Sequence, residues 1–396
     1  MRVPPTRRGR RAAARAGRDA GAWLRPLLVA LVVGLPHAAT AQTRVQGNVE
    51  EQLDAARTAE TVALGAPVDD RFGLYALPIP IVDPTIGNGL AAAALMTVAL
   101  DPDDRISPRS TVAAAFGYTD TQTYAYGAGS SLYLAEDRYR VGLKAGYGDA
   151  NLKFYGVSSD SPFRDNPIDF GIRGNFASAN VRARLWDHLY AGPLYKYLDS
   201  TASFDLRPDD VGETDIDYRL SGAGAITQFD SRDTSFSPHR GTLAELEAVR
   251  FDRRIGSDFD YVAAEGAVAH YRELAPALVA AAQLRIASVF GDAPLFALPY
   301  VTLRGFPGGK YINERAWQAQ AEIRWRVFWR IGVVAFAGAG QTAPDVEGFA
   351  EAGLLHSGGV GLRFVVSESE RIAFGIDYAR ASDGETALYF RIGEAF

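Results

Sequence analysis

Apolar and polar residues alternate along most of the chain, and this pattern constrains the fold more than any other sequence feature. Clear examples are RYRVGLKAGY at 138–147, ANVRARL at 179–185 and AQAEIRWRV at 319–327. Since successive side chains of a strand point to opposite faces, a period of two predicts strands with one apolar and one polar face. A soluble sandwich buries its apolar faces, whereas a membrane barrel turns them to lipid. Alternation alone does not distinguish the two.

The first 41 residues have the composition of a cleavable export signal. Residues 1–25 contain eight arginines and one acidic residue, an apolar run covers 27–35, and small residues precede a cleavage site after Ala41. The apolar run is too short to cross a bilayer as a helix, which takes about 20 residues. We predict a signal peptide at 1–41, a short periplasmic leader at 42–71 and a barrel at 72–396.

Charge and cysteine content narrow the classes of function. Residues 1–41 hold eight of the 41 basic and one of the 47 acidic side chains, so the remainder has a net charge of −13. Such an acidic chain argues against a nucleic-acid partner. The sequence has no cysteine. Its stability is therefore expected to come from packing and hydrogen bonding rather than from disulfides.

Three features favour a membrane barrel over a soluble sandwich: the export signal, aromatic residues near strand ends, and the lack of a long hydrophobic strand or helix. We predict an all-β fold, a transmembrane barrel of sixteen antiparallel strands. An even strand count places both barrel ends on one side of the membrane. Turn signals place the strands near 73–82, 87–100, 109–119, 122–134, 138–154, 169–185, 190–205, 215–229, 241–253, 258–272, 277–290, 316–328, 331–341, 355–366, 371–380 and 386–396.

The predicted connections alternate in length, which is typical of outer-membrane barrels with short turns on one rim and long loops on the other. One connection, 230–240, is long on the side of the short turns. Tight connections fall at 136–137, 187–188, 329–330 and 367–370, and long ones at 158–168, 207–215, 291–315 and 342–354.

The sequence offers no catalytic or metal-binding motif. After residue 41 the histidines are His188, His239, His270 and His356, and none has the serine and acidic partners of a hydrolase triad. There is no Gly-x-Ser-x-Gly motif and no metal-ligand spacing. We expect a protein that is not an enzyme and that uses no metal or cofactor.

One glycine-rich connection carries a single arginine, in the sequence Leu303-Arg304-Gly305-Phe306. This tetrapeptide resembles the Val-Arg-Gly-Phe/Tyr loop motif of the BamA/TamA family, the bacterial surface antigen superfamily. By position it lies in the sixth long loop, between the eleventh and twelfth predicted strands. A cation there can fold back into a polar lumen and pair with a carboxylate.

Two further stretches carry the same resemblance. Asp230, Arg232 and Asp233, followed by Pro238 and Gly241, are similar to the family's Asp-x-Arg-Asp…Pro…Gly turn and account for the long connection on the short-turn side. The last predicted strand is similar to the family's closing strand, whose terminal aromatic is read by the barrel-assembly machinery. Its matching residues are Phe390, Ile392, Gly393 and Phe396.

The resemblance implies a barrel in the bacterial outer membrane that assembles outer-membrane proteins or translocates polypeptide. The implied partners are outer-membrane lipids, the barrel-assembly machinery that inserts the chain, and client polypeptides. The 30-residue leader is too short for a periplasmic POTRA module, which implies a barrel-only member. The alternative is a non-catalytic pore or surface structure, or the membrane half of a system whose soluble part is a separate chain.

Two prolines in the first predicted strand suggest where the barrel closes. Pro78 and Pro80 lack an N–H and, two residues apart, present their backbones to the same neighbour. Proline belongs at sheet edges. We predict that this side faces the last strand and forms a weak seam; the alternative is a strand that begins later, near Ile79.

The sequence departs from the family at the position that usually pairs with the loop arginine. The family pattern is Phe-x-Asp-x-Gly, whereas Gly338 stands in place of the aspartate. A buried arginine needs another carboxylate. We expect Asp377 to take this place, with Glu322 as the second candidate. The alternative is a loop held by packing of Phe306 and Tyr311, with Arg304 in solvent.

Overall fold

The structure is a computed structural model that describes residues 67–69, 72–83, 85–157, 161, 163–164, 166–204, 214–234, 237–367 and 372–396. The predicted signal peptide and nearly all of the predicted leader lie outside these residues. The strands are β1 (Pro67–Asp69), β2 (Phe72–Asp83), β3 (Gly87–Val98), β4 (Ser110–Thr119), β5 (Tyr124–Leu134), β6 (Tyr139–Phe154), β7 (Ile168–Trp186), β8 (Leu189–Phe204), β9 (Thr214–Asp230), β10 (Gly241–Phe251), β11 (Tyr261–Ala275), β12 (Leu278–Gly291), β13 (Arg315–Phe328), β14 (Ile331–Ala343), β15 (Leu355–Ser367), β16 (Ile372–Ala381) and β17 (Thr386–Ile392).

Sixteen of these strands form one antiparallel barrel, which confirms the predicted fold class. Each strand from β2 to β17 pairs with the next one in the chain, and β17 lies next to β2 and closes the ring. The short β1 pairs with the beginning of β2. Within the described residues, no helix is long and apolar enough to cross a membrane.

The outer wall of the barrel is apolar, as expected for a surface that contacts lipid. Leu246, Leu284, Ile323, Leu362 and Tyr378 all have large exposed areas on strands whose alternate residues are buried inside. Monomeric soluble proteins rarely expose apolar surface that continues from strand to strand. The most exposed aromatic residues stand at strand ends, where outer-membrane barrels carry aromatic girdles; they are Trp186, Phe328 and Trp329.

The two rims differ in the length of their connections. The rim where β2 begins and β17 ends, here called the terminal rim, has tight turns at 187–188, 276–277 and 329–330. The opposite rim, the distal rim, carries the longest connection, 292–314. The terminal rim has two long connections, the predicted 231–240 and a second one, 99–109. The prediction of a single exception was therefore wrong.

The second long connection is a folded element rather than an insertion without contacts. Asp104 accepts hydrogen bonds from the Ser107 hydroxyl at 2.6 Å and from the Glu136 N–H at 2.9 Å. Ser107 in turn accepts from the Asp137 N–H at 2.7 Å. The connection 99–109 thus docks on the neighbouring turn at 135–138, which explains why a longer chain is tolerated there.

The interior of the barrel divides into an apolar part and a charged part. Inward residues of β6 to β12 form an apolar cluster, and Phe296 of the connection 292–314 packs against it together with its apolar neighbours. The rings of Tyr218 and Phe296 stack with centroids 3.9 Å apart. Buried charged side chains gather on β13 to β17, whereas the inward ion pairs of β8 to β12, such as Lys196 with Glu247 and Arg285 with Glu265, are more exposed. The connection 292–314 therefore passes from the apolar to the charged side and occupies the lumen between them.

Candidate functional site

The loop motif is packed against the inside of the barrel. Val301, Leu303 and Phe306 are each only 1% exposed and pack against Ala381 of β16. The Thr302 N–H donates to Gln318 Oε1 at 2.7 Å. These contacts bury an apolar stretch that lies outside any strand, so they fix the position of the arginine between Leu303 and Gly305.

Gly305 gives the loop the turn that directs Arg304 inward. Its φ of 105° lies in the left-handed region, which residues with a Cβ adopt at a cost. A Cβ here would also meet the Ala381 N atom at 3.1 Å. The Gly305 N–H donates to the Tyr389 hydroxyl on β17 at 2.8 Å. This bond anchors the loop backbone next to Arg304 to the final strand.

Arg304 contacts both carboxylates that the sequence analysis named. Its Nη1 donates to Asp377 Oδ2 at 2.9 Å, and its Nη2 donates to Glu322 Oε2 at 2.8 Å. Its guanidinium carbon lies 3.4 Å from the ring centroid of Phe336. Arg304 is 6% exposed and both carboxylates are almost completely buried. The geometry is that of a closed ion pair rather than of an arginine in solvent.

Each carboxylate is shared by several arginines. Asp377 also accepts from Arg363 Nη1 at 2.5 Å and lies 3.0 Å from Arg391 Nε. Glu322 also accepts from Arg324 Nε at 2.6 Å. Glu394 Oε2 accepts from Arg363 Nε at 2.9 Å and lies 3.7 Å from Arg324 Nε. We call this set the lumen cluster; it consists of Arg304, Arg324, Arg363, Arg391, Glu322, Asp377 and Glu394.

The shared contacts determine how much stability is lost when one member of the cluster is removed. Removing one partner of a buried ion pair typically costs about 3–5 kcal/mol, because a buried charge is left uncompensated. A carboxylate with several arginine neighbours retains compensation when one of them is lost. The cluster should therefore tolerate loss of an arginine better than loss of a carboxylate.

Arg324 connects the lumen cluster to the other two motifs. Its Nη1 lies 3.4 Å from the Pro238 carbonyl oxygen in the turn 231–240, and its Nη2 donates to the Phe396 carbonyl at 2.9 Å. Alternation placed Arg324 on the inward face but gave no sign that it reaches the turn motif.

The turn motif is a compact set of hydrogen bonds at the terminal rim. Arg232 binds Asp230 through two contacts, Nε to Oδ1 at 2.8 Å and Nη2 to Oδ2 at 3.0 Å. Burial lowers the pKa of Arg232, but the bonds to Asp230 outweigh this and hold the pKa above its ordinary value. Asp233 Oδ1 accepts from the His239 and Arg240 N–H groups at 3.0 and 3.3 Å.

The closing strand is shorter than predicted. β17 ends at Ile392, because Gly393, whose N–H still bonds the Ala373 carbonyl opposite it at 2.7 Å, has a φ of 82° that turns the chain out of the strand. Phe390 remains on the outer face near Phe374. Phe396 instead packs inside the barrel against a cluster that includes Tyr271. The prediction that the strand extends to 396 was wrong.

The register of β2 and β3 locates the backbone side of the two prolines. Asn88 directs its backbone toward β4: its carbonyl accepts from the Asp120 N–H at 2.7 Å. Leu90 and Ala92, two and four residues after Asn88, must also direct their backbones toward β4. They lie opposite Pro80 and Pro78. Two directly opposite residues of an antiparallel pair either exchange backbone hydrogen bonds or both turn their backbone groups away from each other. Pro78 and Pro80 therefore face β17, and a weak seam there stays a prediction.

A second set of contacts, which the sequence analysis missed, holds the loop at the distal rim. Lys310 Nζ lies 2.9 Å from Asp383 and 3.1 Å from Glu385, in the connection between β16 and β17. Burial lowers the pKa of Lys310, but the hydrogen bonds to Asp383 and Glu385 outweigh it and raise the pKa above its usual value. The Tyr311 hydroxyl donates to Asp383 at 3.1 Å. Proximity of the two connections across the barrel was not readable from the sequence.

Within the described residues, no group of three or more histidine or acidic side chains is arranged to hold a metal ion. The lumen cluster pairs each carboxylate with arginines instead. Its chemistry is that of a structural lock between a loop and the barrel wall.

Fold and lumen cluster together define a transmembrane-type β-barrel of sixteen antiparallel strands with a connection fixed in its lumen by ion pairs. The structure is similar to BamA from Haemophilus ducreyi lacking POTRA domains 1–3, with a TM-score of 0.55 and 13% identity over 88% of this chain and 78% of that one. It is also similar to CdiB from Escherichia coli (TM-score 0.55, 11% identity, 83% of this chain) and from Acinetobacter baumannii (0.52, 11%, 82%). The chain spans 63% and 60% of these two CdiB structures. No protein-family model and no curated protein matches the sequence.

Proposed function

We propose that this chain is an integral protein of the bacterial outer membrane that inserts outer-membrane proteins or translocates polypeptide. The observation that carries the proposal is the loop locked in the lumen by Arg304 between Asp377 and Glu322. A lock made of buried ion pairs is suited to two discrete arrangements, because partial separation leaves charges uncompensated. The likeness of fold to BamA and CdiB supports the same class of protein.

The filled lumen supports this role over that of a permanently open pore. Phe296 packs on Tyr218 on one side of the barrel, and Phe306 packs on Ala381 on the other. An open porin keeps a water-filled channel through a polar interior. Passage of a polypeptide here would require either displacement of the loop or opening of the wall.

Outer-membrane location is supported by the apolar outer wall and its aromatic strand ends. Membrane fractionation with an antibody to the folded chain tests it. Recovery with the outer membrane is the expected result, and recovery with the soluble or inner-membrane fractions would contradict it.

The role is tested by depleting the chain and measuring the abundance of several unrelated outer-membrane barrels. A uniform fall is expected for an assembly factor, and loss of a single exported polypeptide is expected for a translocator. Wild-type chain should restore the levels, and Arg304→Ala should restore them less. Arg326→Ala is the matched control, because Arg326 lies two residues after Arg324 but is exposed. Unchanged barrel and export levels would instead favour a pore or a surface structure.

A further inference from the structure

A cleft of about 430 Å³ opens in the wall near the distal rim, away from the lumen cluster. Side chains of β4 to β8 and of the connection between β4 and β5 line it. The cleft is predominantly polar. Its principal lining residues are Tyr118, Tyr124, Asp149, Asn151, Arg173 and Ser203.

Strand register places this cleft on the outer surface of the barrel. Tyr124 lies opposite Asp149, and Asp149 lies opposite Arg173 on the next strand. Directly opposite residues share one face of a sheet. Arg173 is exposed while its neighbour Ile172 is buried inside, so the shared face is the outer one.

An aromatic row borders the cleft on the side toward the middle of the barrel. Phe116, Tyr126 and Tyr147 lie opposite one another on β4, β5 and β6. The rings of Tyr126 and Tyr147 stack with centroids 5.2 Å apart. The next row toward the terminal rim is made of alanines, including Ala128 and Ala145. Aromatic rows mark the boundary between hydrocarbon and headgroups, so the cleft lies at headgroup level.

The charges around the cleft favour neutral polar groups over phosphate. Arg173 Nη2 donates to Asp215 Oδ2 at 3.2 Å, so its charge is already paired. Asp149, Asp215 and Asp217 bring three negative charges to the same part of the wall. An anion placed there would meet net repulsion.

Two kinds of contact remain for a bound molecule. The Asp149 carboxylate and the Asn151 amide can bond hydroxyl groups through their oxygens. The half-exposed ring of Tyr118 offers a flat apolar face beside them. A sugar ring presents the complementary surface, with hydroxyls at its edge and C–H groups on its face.

We propose that this cleft binds the neutral sugar residues of a glycolipid in the outer leaflet of the outer membrane. The proposal rests on the outer-membrane location proposed above, because that location brings glycolipid headgroups level with the cleft. It assigns the outer wall near β4 to β8 a recognition role that is separate from the loop in the lumen.

Binding is measured with the full chain in detergent micelles, using three probes: lipopolysaccharide with a short sugar core, the free oligosaccharide released from it, and phosphatidylglycerol. Saturable binding of the lipopolysaccharide is expected. Asp149→Ala removes a charged acceptor and Ser203→Trp fills the cleft, and each should weaken binding about tenfold or more. Asp169→Ala is the matched control, since Asp169 is exposed on β7 but does not line the cleft.

The probes separate the sources of the sugar. Stronger binding of intact lipopolysaccharide than of the oligosaccharide supports a membrane glycolipid; equal binding of both overturns that part and indicates a free glycan. Equal binding of phosphatidylglycerol, or unchanged affinity in both cleft variants, overturns the proposal, as does an equal loss in Asp169→Ala. Retained heat-modifiable mobility in electrophoresis shows that each variant is folded. Binding in micelles does not depend on where the chain lies in the cell. An incorrect outer-membrane location would therefore be detected separately, by membrane fractionation.

Discussion

Arg304 and Asp377 lie 73 positions apart in the chain, yet Arg304 Nη1 is 2.9 Å from Asp377 Oδ2 and both side chains are buried. The contact joins the connection 292–314 to β16, across the charged side of the lumen. Asp377 also meets Arg363 and Arg391, whereas Arg304 also meets Glu322. Removal of Asp377 and removal of Arg304 therefore affect different sets of charged neighbours.

The first prediction is that the two single replacements are unequal and strongly non-additive. Asp377→Ala removes a carboxylate that three arginines share and should lower the free energy of unfolding by about 3–5 kcal/mol. Arg304→Ala leaves Asp377 and Glu322 with other arginines and should cost less. The double variant should differ from the sum by about 0.5–3 kcal/mol in a denaturant titration of the barrel.

Trypsin provides an independent measure, because Lys310 follows the lumen arginine in the same loop. Arg304→Ala should accelerate cleavage after Lys310. Arg326→Ala, with an exposed side chain on β13, should change neither stability nor cleavage. Additive effects, or equal costs of the two single replacements, would show that Arg304 and Asp377 do not act as a latch.

A second prediction concerns Gly338, where the resembling family has aspartate. A Cβ at Gly338 would lie 2.7 Å from Leu303 Cδ2, and Leu303 is itself tightly buried. Gly338→Ala should therefore destabilise the barrel by about 1–3 kcal/mol. The cost should shrink in a Leu303→Ala background, because the colliding methyl group is gone.

Gly353→Ala controls for the general effect of adding a methyl group. No heavy atom lies within 4 Å of a Cβ placed at Gly353, so this change should stay within about 0.5 kcal/mol. Equal costs of Gly338→Ala with and without Leu303 would mean that Leu303 does not occupy the space of the missing side chain.

The third prediction separates backbone conformation from steric contact in the turn motif. Gly241 and Gly256 both have left-handed φ angles, 105° and 95°. A Cβ at Gly241 would meet the Ser231 carbonyl oxygen at 2.2 Å, whereas none of the surrounding atoms lies within 4 Å at Gly256. Gly256→Ala should cost about 1–2 kcal/mol for conformation alone. Gly241→Ala should cost clearly more in the same unfolding assay; equal costs would show that the turn adjusts freely.

The fourth prediction concerns pH at the second long connection of the terminal rim. Hydrogen bonds from the Ser107 side chain and from backbone N–H groups hold the pKa of Asp104 well below its ordinary value. A folded-state pKa that is depressed contributes stability above the unfolded pKa, and this stability is lost as pH falls through the folded one. Amide exchange at Glu136 should therefore stay slow through mild acid and quicken only in strong acid. Asp104→Asn should quicken it at neutral pH, and a wild-type transition in mild acid would contradict the assignment.

Much of the barrel was predictable because a membrane wall imposes a strict period of two. The alternation placed Glu322 and Asp377 on the inward face, and buried arginine requires a carboxylate, so both candidates for Arg304 followed from local pattern. The same alternation also puts Arg363 and Arg391 on the inward face.

Contacts between distant connections were not predictable from the sequence. Lys310 meets Asp383 because two loops converge over the lumen, and Arg324 meets Pro238 because a turn folds inward. These distances depend on loop conformation, which no periodic pattern encodes. The end of β17 was missed for a related reason: the alternation continues past Gly393, while its φ of 82° turns the chain away from the wall.

The last prediction concerns the closure between β2 and β17. Pro78 and Pro80 face β17 and have no N–H, so neither can donate a ladder hydrogen bond on that side. Replacing both prolines by alanine adds the two donors. We expect slower amide exchange along β17 in hydrogen–deuterium exchange, because the strand gains partners across the seam.

Local exchange is the appropriate measure, since loss of proline also increases the freedom of the unfolded chain and lowers global stability by about 0.4–1 kcal/mol per site. Pro344→Ala is the matched control, because Pro344 lies in the connection 344–354 and its replacement changes proline content without adding a donor at the seam. Slower exchange in β17 only for the Pro78→Ala/Pro80→Ala variant supports a weak seam. Unchanged exchange, or the same slowing in Pro344→Ala, would mean that the prolines do not limit closure of the barrel.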